Sequence, residues 1–354
     1  MKILVISDLH LGKGHFLENG RMNIFEDFFH DEEFSEFLNY YSSDKYYNEE
    51  VHLILNGDIF NLIDIEHDDK NTTILTEEWV LKSFEMIING HALFFDALRL
   101  FLRKPNKKVF YIFGNHDQPV YFENVQNKFR EVVEAHIDFA FFYEKDCIRV
   151  EHGHRFEKHN FPPNNKQIIE YQGKKIINLP WGSLFLVTLM PDFKRERPYF
   201  DKIRPISVYL KWCLVHDTGF FFKLFWRTFK YILSTYNKKL LKINQNYKTS
   251  WKLIKEISLY PFYETNAERI FKERTDLKLI VMGHTHVAQW RRFGDGLIYI
   301  NSGTWSRVTS IDAGKHLGIE KRSFIFIDYN EVNKTIQNSS ICQWNGTWKP
   351  YKTE

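Results

Sequence analysis

KILVISDLH, Lys2 to His10, is the stretch that decides the fold class. Four apolar residues in a row, Ile3 to Ile6, lead directly into Asp8 and His10. A run that is apolar at every position, rather than at alternate ones, reads as a strand buried on both faces, as in α/β proteins. The same pattern returns in VHLILNGD (Val51 to Asp58), KVFYIFGNHD (Lys108 to Asp117), KLIVMGHTH (Lys278 to His286), GLIYINSGT (Gly296 to Thr304) and RSFIFIDY (Arg322 to Tyr329). A further strand is expected between Phe139 and Val150. Between the second and third runs, Val80, Phe84, Ile87, His91, Phe94, Leu98 and Phe101 recur at helical spacing, which predicts a helix over Thr76 to Lys104. Strand, helix, strand is the order of a layered α/β fold.

The chemistry sits where these runs end. Asp8 and His10 close the first, Asp58 the second, Asn115 and His116 the third, and His284 and His286 the fourth; His152 and His154 follow the strand expected before RVEHGHRFE. Side chains just beyond the carboxyl ends of strands in an open α/β sheet converge on one crevice, so residues distant in sequence meet there. In extended backbone, residues i and i+2 point to the same side, which predicts that Asp8 with His10, and His284 with His286, each present a pair of ligands. Carboxylate, imidazole and amide donors together suit Mn²⁺, Fe²⁺ or Zn²⁺ better than Ca²⁺, which prefers oxygen alone. The candidate ligands are too many for one ion. With an aspartate as bridge they serve two, the arrangement that clamps attacking and leaving oxygens in phosphoryl displacement.

Composition narrows the rest. A chain of 354 residues can bury an ample core as one large domain or a core with an appendage. Its cysteines, Cys147, Cys213 and Cys342, have no CxxC spacing, so neither a disulfide framework nor a cysteine zinc site is indicated. The acidic turn at Asp8 comes too early for a signal peptide, and no window reaches the apolar length of a membrane span. A cytoplasmic protein is expected. Net charge is only +3, yet from Lys174 to Lys255 the chain carries 17 Lys or Arg against 4 Asp or Glu. The region from about Phe161 to Thr275 also reads as helices and loops without a clear strand pattern.

DLH (Asp8 to His10), GD (Gly57, Asp58), GNHD (Gly114 to Asp117), HG (His152, Gly153) and GHTH (Gly283 to His286) together resemble, in the same order, the motifs of the calcineurin-like metallophosphoesterase superfamily. The resemblance implies two mixed β-sheets flanked by helices, a four-layer sandwich. It implies a first ion held by Asp8, His10, Asp58 and His286, and a second by Asp58, Asn115, His152 and His284, with Asp58 as the bridge. A hydroxide between the two ions, most readily Mn²⁺ with Fe²⁺, Zn²⁺ or Mg²⁺ as alternatives, would attack phosphorus. His116 would protonate the leaving group or stabilise the phosphoryl oxygens. Where relatives often place an acid to orient that histidine, this chain has Asn61. His154 is read as a group supporting the ligands, a substrate contact or a turn cap, and Asn61 is counted with it among the substrate-binding candidates. Gly114 and Gly283 are expected to allow the tight turns that aim the ligands. The other histidines, His15, His30, His52, His67, His91, His136, His159, His216 and His316, are read as core or surface residues.

On this division residues 1–160 and 276–354 form the catalytic core and 161–275 a helical cap that shapes the pocket. Within the cap, LPWGSLFLVTLM (Leu179 to Met190) and FFFKLFWRTFKYIL (Phe220 to Leu233) either pack the cap's own core or lie on an anionic membrane. DLHLG and GDIF resemble the UDP-2,3-diacylglucosamine diphosphatases, which implies a lipid-linked pyrophosphate substrate at the inner face of a membrane. A small phosphorylated substrate fits the same motifs. A nuclease ranks lower, because the positive charge is interleaved with aromatics. A non-catalytic interaction module would have lost ligands that this chain keeps.

Overall fold

A computed structural model of the protein describes residues 1–17, 19–67, 72–162, 165–198, 200–204, 206–237, 263–306, 309–310, 322–348 and 352–353. The first sheet has seven strands. On one side of β1 (Lys2–Ile6) lie β2 (Val51–Asn56), β3 (Lys107–Ile112) and β4 (Asp138–Ala140), all parallel to it. On the other side β14 (Ser323–Asn330), β15 (Thr335–Gln343) and β16 (Lys352–Thr353) run antiparallel, each to its neighbour. The second sheet has five strands in the order β11 (Gln289–Arg292), β12 (Ile298–Asn301), β10 (Leu279–Met282), β6 (Ile148–Val150) and β5 (Tyr143–Lys145). Both sheets are therefore mixed.

Alternation along β1 explains the layering. Ile3 and Val5 point into a core shared with Ile148, Val150, Leu279, Val281 and Ile300 of the second sheet. Leu4 and Ile6 point the other way, onto Phe34 and Phe37 of α1 (Asp31–Tyr40), Phe84 of α2 (Glu77–Gly90), Phe94 of α3 (Ala92–Leu102) and Phe129 of α4 (Glu123–Val133). The result is helices, sheet, sheet, helix, with β1 and β2 at the centre of the first sheet buried on both faces.

Three expectations change. The helix over Thr76 to Lys104 is two helices, α2 and α3, which break at His91, where φ is −129° and ψ 41°. The strand expected over Phe139 to Val150 is three short ones, β4, β5 and β6, because intervening turns return the chain from the first sheet to the second. The region 161–275 contains a hairpin of β7 (Ile168–Tyr171) with β8 (Lys174–Ile177), and a short parallel pair of β9 (Ile203–Arg204) with β13 (Thr309–Ser310). Its last helix, α8 (Tyr263–Glu273), buries Tyr263, Ala267, Ile270 and Phe271 against Ile280, Met282 and Tyr299 of the second sheet. That helix supplies the fourth layer of the core, so the boundary expected at 275 falls before Tyr263.

The remaining helices of this region, α5 (Trp181–Glu196), α6 (Ile206–His216) and α7 (Thr218–Asn237), share a core of Trp181, Leu189, Phe193, Phe200, Cys213, Phe220 and Tyr231. Residues 238–262 of the expected cap lie outside the described residues. No helix among the described residues is long and apolar enough to cross a membrane.

Candidate metal centre

Strands β1, β2, β3, β6 and β10 all stop at the same edge of the sandwich, and the segments that follow are laced together by main-chain hydrogen bonds. Asp8 N–H donates to the Gly57 carbonyl (3.0 Å), His10 N–H to that of Asp58 (3.0 Å), and Gly283 N–H to that of His152 (3.0 Å). The lacing brings the predicted ligands into two groups. Asp8, His10 and His286 offer ligand atoms within 4.8 Å of one another, and so do Asp58, His152 and His284. Asp58 lies between them, with Oδ2 3.3 Å from His152 Nε2 and 3.9 Å from His10 Nε2.

The backbone reason differs from the expected one. Asp8 (φ 55°), His10 (57°), Asp58 (53°), His284 (72°) and His286 (61°) are left-handed rather than extended. Non-glycine residues held there cost about 1–3 kcal/mol each and persist only where the surroundings enforce them, which marks a functional site. The glycines act differently too. Neither Gly114 nor Gly283 has a positive φ; each supplies clearance instead. A Cβ on Gly114 would stand 2.2 Å from Asp58 Oδ1, and one on Gly283 2.5 Å from Ser7 Oγ.

Hydrogen bonds fix which nitrogens carry lone pairs. Asn61 donates through Nδ2 to Asp27 Oδ2 (3.2 Å) and to the His10 carbonyl (3.3 Å), so its Oδ1 is the acceptor. That oxygen receives Nδ1–H of both His10 (2.8 Å) and His116 (3.1 Å). The Nε2 atoms of both rings are therefore lone-pair donors, and His10 Nε2 stands 3.1 Å from His286 Nε2. His152 donates Nδ1–H to the Asn56 carbonyl at 2.8 Å. His284 Nε2 lies 3.0 Å from Glu157 Oε2, a carboxylate–histidine pair that leaves Nδ1 to coordinate.

Charge is concentrated here. Burial raises the Asp8 carboxyl, whereas His152 and His116 outweigh burial and hold Asp58 well below the usual carboxylate range. Burial disfavours the His152 imidazolium, but Asp58 and Asp8 lift it to about 10. Lost solvation pushes His116 down to about 3 and also lowers His154. Asp117 is raised to about 7 by burial and by Asp58; it accepts from Tyr111 Oη (2.6 Å), Gly114 N–H (2.7 Å) and Ile59 N–H (3.0 Å).

These residues fit a pair of cations. Asn115 Oδ1 and His152 Nε2 are fully buried with no hydrogen-bond partner among the described residues, and both atoms are of a kind that ligates metal. His152 is next to Asp58, and Asn115 stands between Gly114 and His116, whose backbones approach Asp58 Oδ1. A buried acceptor left unmet costs about 1–3 kcal/mol, and a divalent ion would satisfy both.

Two predicted substrate contacts sit differently. Asn61 is buried and bonded to His10, His116 and Asp27, which makes it a positioning residue. His154 is buried and packs against His152 and Phe161, away from solvent. Sequence reasoning missed Glu157, Asp27, Lys194 and Lys202. Lys202 Nζ is 2.6 Å and Lys194 Nζ 3.8 Å from Asp27, so α5 and the segment after it reach the support of His116. Nothing in their spacing announced this.

The model of one protein family, described as calcineurin-like phosphoesterase, matches residues 1–288. The chain belongs to that family. No curated protein matches it. Among solved structures, this phosphoesterase is similar to an archaeal phosphodiesterase, at 10% identity over 96% of this chain and 99% of that one, with a TM-score of 0.32. It is also similar to a dimetal phosphatase from Danio rerio, at 9% identity over 94% and 93% of the chains, with a TM-score of 0.37. A Vps29 mutant from Entamoeba histolytica gives 11% identity over 100% and 97%, with a TM-score of 0.31. Likenesses this weak bear no weight for substrate. Family membership makes the protein a metal-dependent phosphoester hydrolase of a dinuclear class.

Proposed function

We propose that this phosphoesterase hydrolyses a phosphate ester or pyrophosphate bond, with Asp8, His10, Asp58 and His286 holding one ion and Asp58, Asn115, His152 and His284 the other. The observation that carries this is the position of Asp58 Oδ2 between His10 and His152, together with the buried Asn115 Oδ1 that has no partner among the described residues. The mixed donor set favours Mn²⁺, with Fe²⁺, Zn²⁺ or Mg²⁺ as alternatives. When bound, the ions would bring the pKa of a shared water towards neutrality and neutralise phosphoryl charge. His116, kept neutral, acts first as an acceptor at Nε2, and the proton it takes up is the one it passes to the leaving oxygen. Asn61 holds the ring for both steps.

The region before α8 is the cap that selects substrate, and a lipid-linked pyrophosphate fits it better than a small or nucleic-acid substrate. On α7, Phe222, Phe225, Trp226, Phe229 and Leu233 form one exposed stripe, the first three 61%, 59% and 53% accessible. Val208, Trp212 and Val215 of α6 are exposed likewise, and Lys211 and Lys230 stand among them. A helix that turns large apolar residues outward between basic ones suits the surface of an anionic membrane, here at its cytoplasmic side. By contrast, Arg227 pairs with Asp192, Arg197 with Asp217 and Lys223 with Glu196, which removes much of the free positive charge a nuclease groove needs. With Mn²⁺ supplied, the protein should cleave a generic aryl phosphodiester slowly and a nucleotide-linked lipid pyrophosphate at least tenfold faster in kcat/KM. Equal rates on both, or faster cleavage of DNA, would remove the lipid reading; no cleavage of any phosphate ester would remove the proposal.

A further inference from the structure

Helix α5 belongs to two cores at once. Trp181, Leu189 and Phe193 pack inside the cap, whereas Val187 is buried in the same cluster as Phe84 and Phe94, on the helical side of the first sheet. The helix therefore lies on the core rather than beside it, and its two ends reach the two halves of the metal centre. At its start, Gly182 N–H donates to the His159 carbonyl (2.7 Å), and Ser183 Oγ lies 3.5 Å from the carbonyl of Asn115. Only glycine fits there. A Cβ on Gly182 would stand 2.5 Å from Asn160 Oδ1, and Asn160 Nδ2 is 3.2 Å from His284 Nε2.

Lys194 lies roughly 16 Å further along the helix, at 1.5 Å of rise per residue. Its Nζ stands 3.8 Å from Asp27 Oδ2, and Lys202 Nζ, on the segment that follows, is 2.6 Å from Oδ1. From Lys202 the path to His116 is three contacts long, through Asp27 and Asn61, and no substrate takes part in it. Charge gives the path its direction. A carboxylate anion can only accept, so Asp27 turns Asn61 Nδ2 towards itself and leaves Oδ1 to face the His10 and His116 rings. A buried carboxylate stays an anion only while its counterions are in place. Arg195 joins the same helix to the core through a different carboxylate, Glu66, at 2.6 Å.

We propose that the docking of α5 and of the segment to Lys202 is part of the catalytic framework, with Lys194 and Lys202 as positioning residues for His116. The cap then sets the rate of the chemical step on every substrate, including one too small to touch it. Selection of substrate by its exposed face is a separate property. The kinetic half of this inference rests on the reading of His116 as the proton carrier; the structural half does not.

The first test is proton–nitrogen NMR of the whole, metal-free chain carrying isotope-labelled histidine. The Nδ1–H protons of His10 and His116, both held by Asn61, should exchange slowly in wild type. Lys202→Met should lose these signals or speed their exchange at least about tenfold, and Lys202→Arg should keep them. The second test is hydrolysis of a generic aryl phosphodiester with Mn²⁺ supplied. Lys202→Met should lower kcat about 10–100-fold with KM within about twofold. Asp27→Asn should do the same, and combining the two should add nothing further, because both cut one path and the double variant leaves no buried charge unpaired. Arg195→Gln, which removes a half-exposed pair off that path, should keep kcat within about twofold. Unchanged Nδ1–H signals in Lys202→Met would overturn the path whatever the rates. A loss of kcat in Arg195→Gln equal to that in Lys202→Met would overturn it too, as general loosening of the cap. Changed signals with wild-type kcat would overturn the kinetic half and, with it, the role given to His116. The NMR measurement needs neither metal nor turnover, so it stands or falls apart from the proposed hydrolysis.

Discussion

Asn61 Oδ1 serves two imidazoles at once, and its orientation is enforced from behind by Asp27, which in turn is gripped by Lys194 and Lys202. Burial alone would raise the Asp27 carboxyl, but the two ammonium groups overcome it and hold the group far below its ordinary range. A carboxylate with a depressed folded pKa stabilises above its unfolded pKa of about 3.9, and the contribution is lost as pH falls towards the folded value. Asp27→Ala should therefore destabilise by about 3 kcal/mol at neutral pH. Melting curves should show that gap constant above about pH 5 and shrinking below about pH 4. Because Asn61 loses its brace, kcat should fall roughly 10–100-fold with less change in KM. A variant with wild-type kcat would detach Asp27 from the site. At this scale the clustering of Asp8, His10, Asp58, His152, His284 and His286 was legible, since charged groups at the ends of apolar runs stand out. The support was not, because Asp27, Lys194 and Glu157 meet the site only through tertiary packing.

Among the elements, strands buried on both faces announced themselves as unbroken apolar runs, and β1, β2 and β10 fall within them. What misled was local geometry. The helical period ran unbroken through His91, so the close approach of Lys13 that ends α2 left no trace in the pattern. The left-handed backbone at five ligands was equally hidden, because it is imposed by the lacing of neighbouring loops rather than by residue preference. Gly114 gives the test of that lacing. Gly114→Ala should keep a native circular dichroism spectrum yet lower kcat/KM about 100-fold, since a methyl 2.2 Å from Asp58 Oδ1 must displace that carboxylate. Unchanged kinetics would show that the clearance has no catalytic role. The exposed stripe of α7 makes its own prediction. At low salt the protein should sediment with phosphatidylglycerol vesicles but not with phosphatidylcholine vesicles, and Phe225→Ser with Trp226→Ser should leave it in the supernatant. Wild-type protein that stays in the supernatant would contradict the membrane face.

Across the whole molecule, two mixed sheets back to back carry their loops to one edge, and the chain closes the centre with residues from both halves of the sequence. Asp8 and Asp58 come from the first sheet, His152 and His284 from the second, so the centre assembles only when the sandwich does. This architecture was readable because each half ends its strands in the same chemistry. The stretch 161–275 stood out by its composition, but its last helix, α8, packs on the second sheet: an amphipathic helix has the same pattern whether it covers a cap or a sheet. The most direct measurement of the central claim compares wild type with Asp58→Ala for bound metal and for Mn²⁺-dependent hydrolysis in one preparation. If Asp58 bridges two ions, the variant should hold about two fewer ions per chain and lose hydrolysis by more than about 1,000-fold while remaining folded. A folded Asp58→Ala protein with full metal content and full activity would contradict the two-metal account.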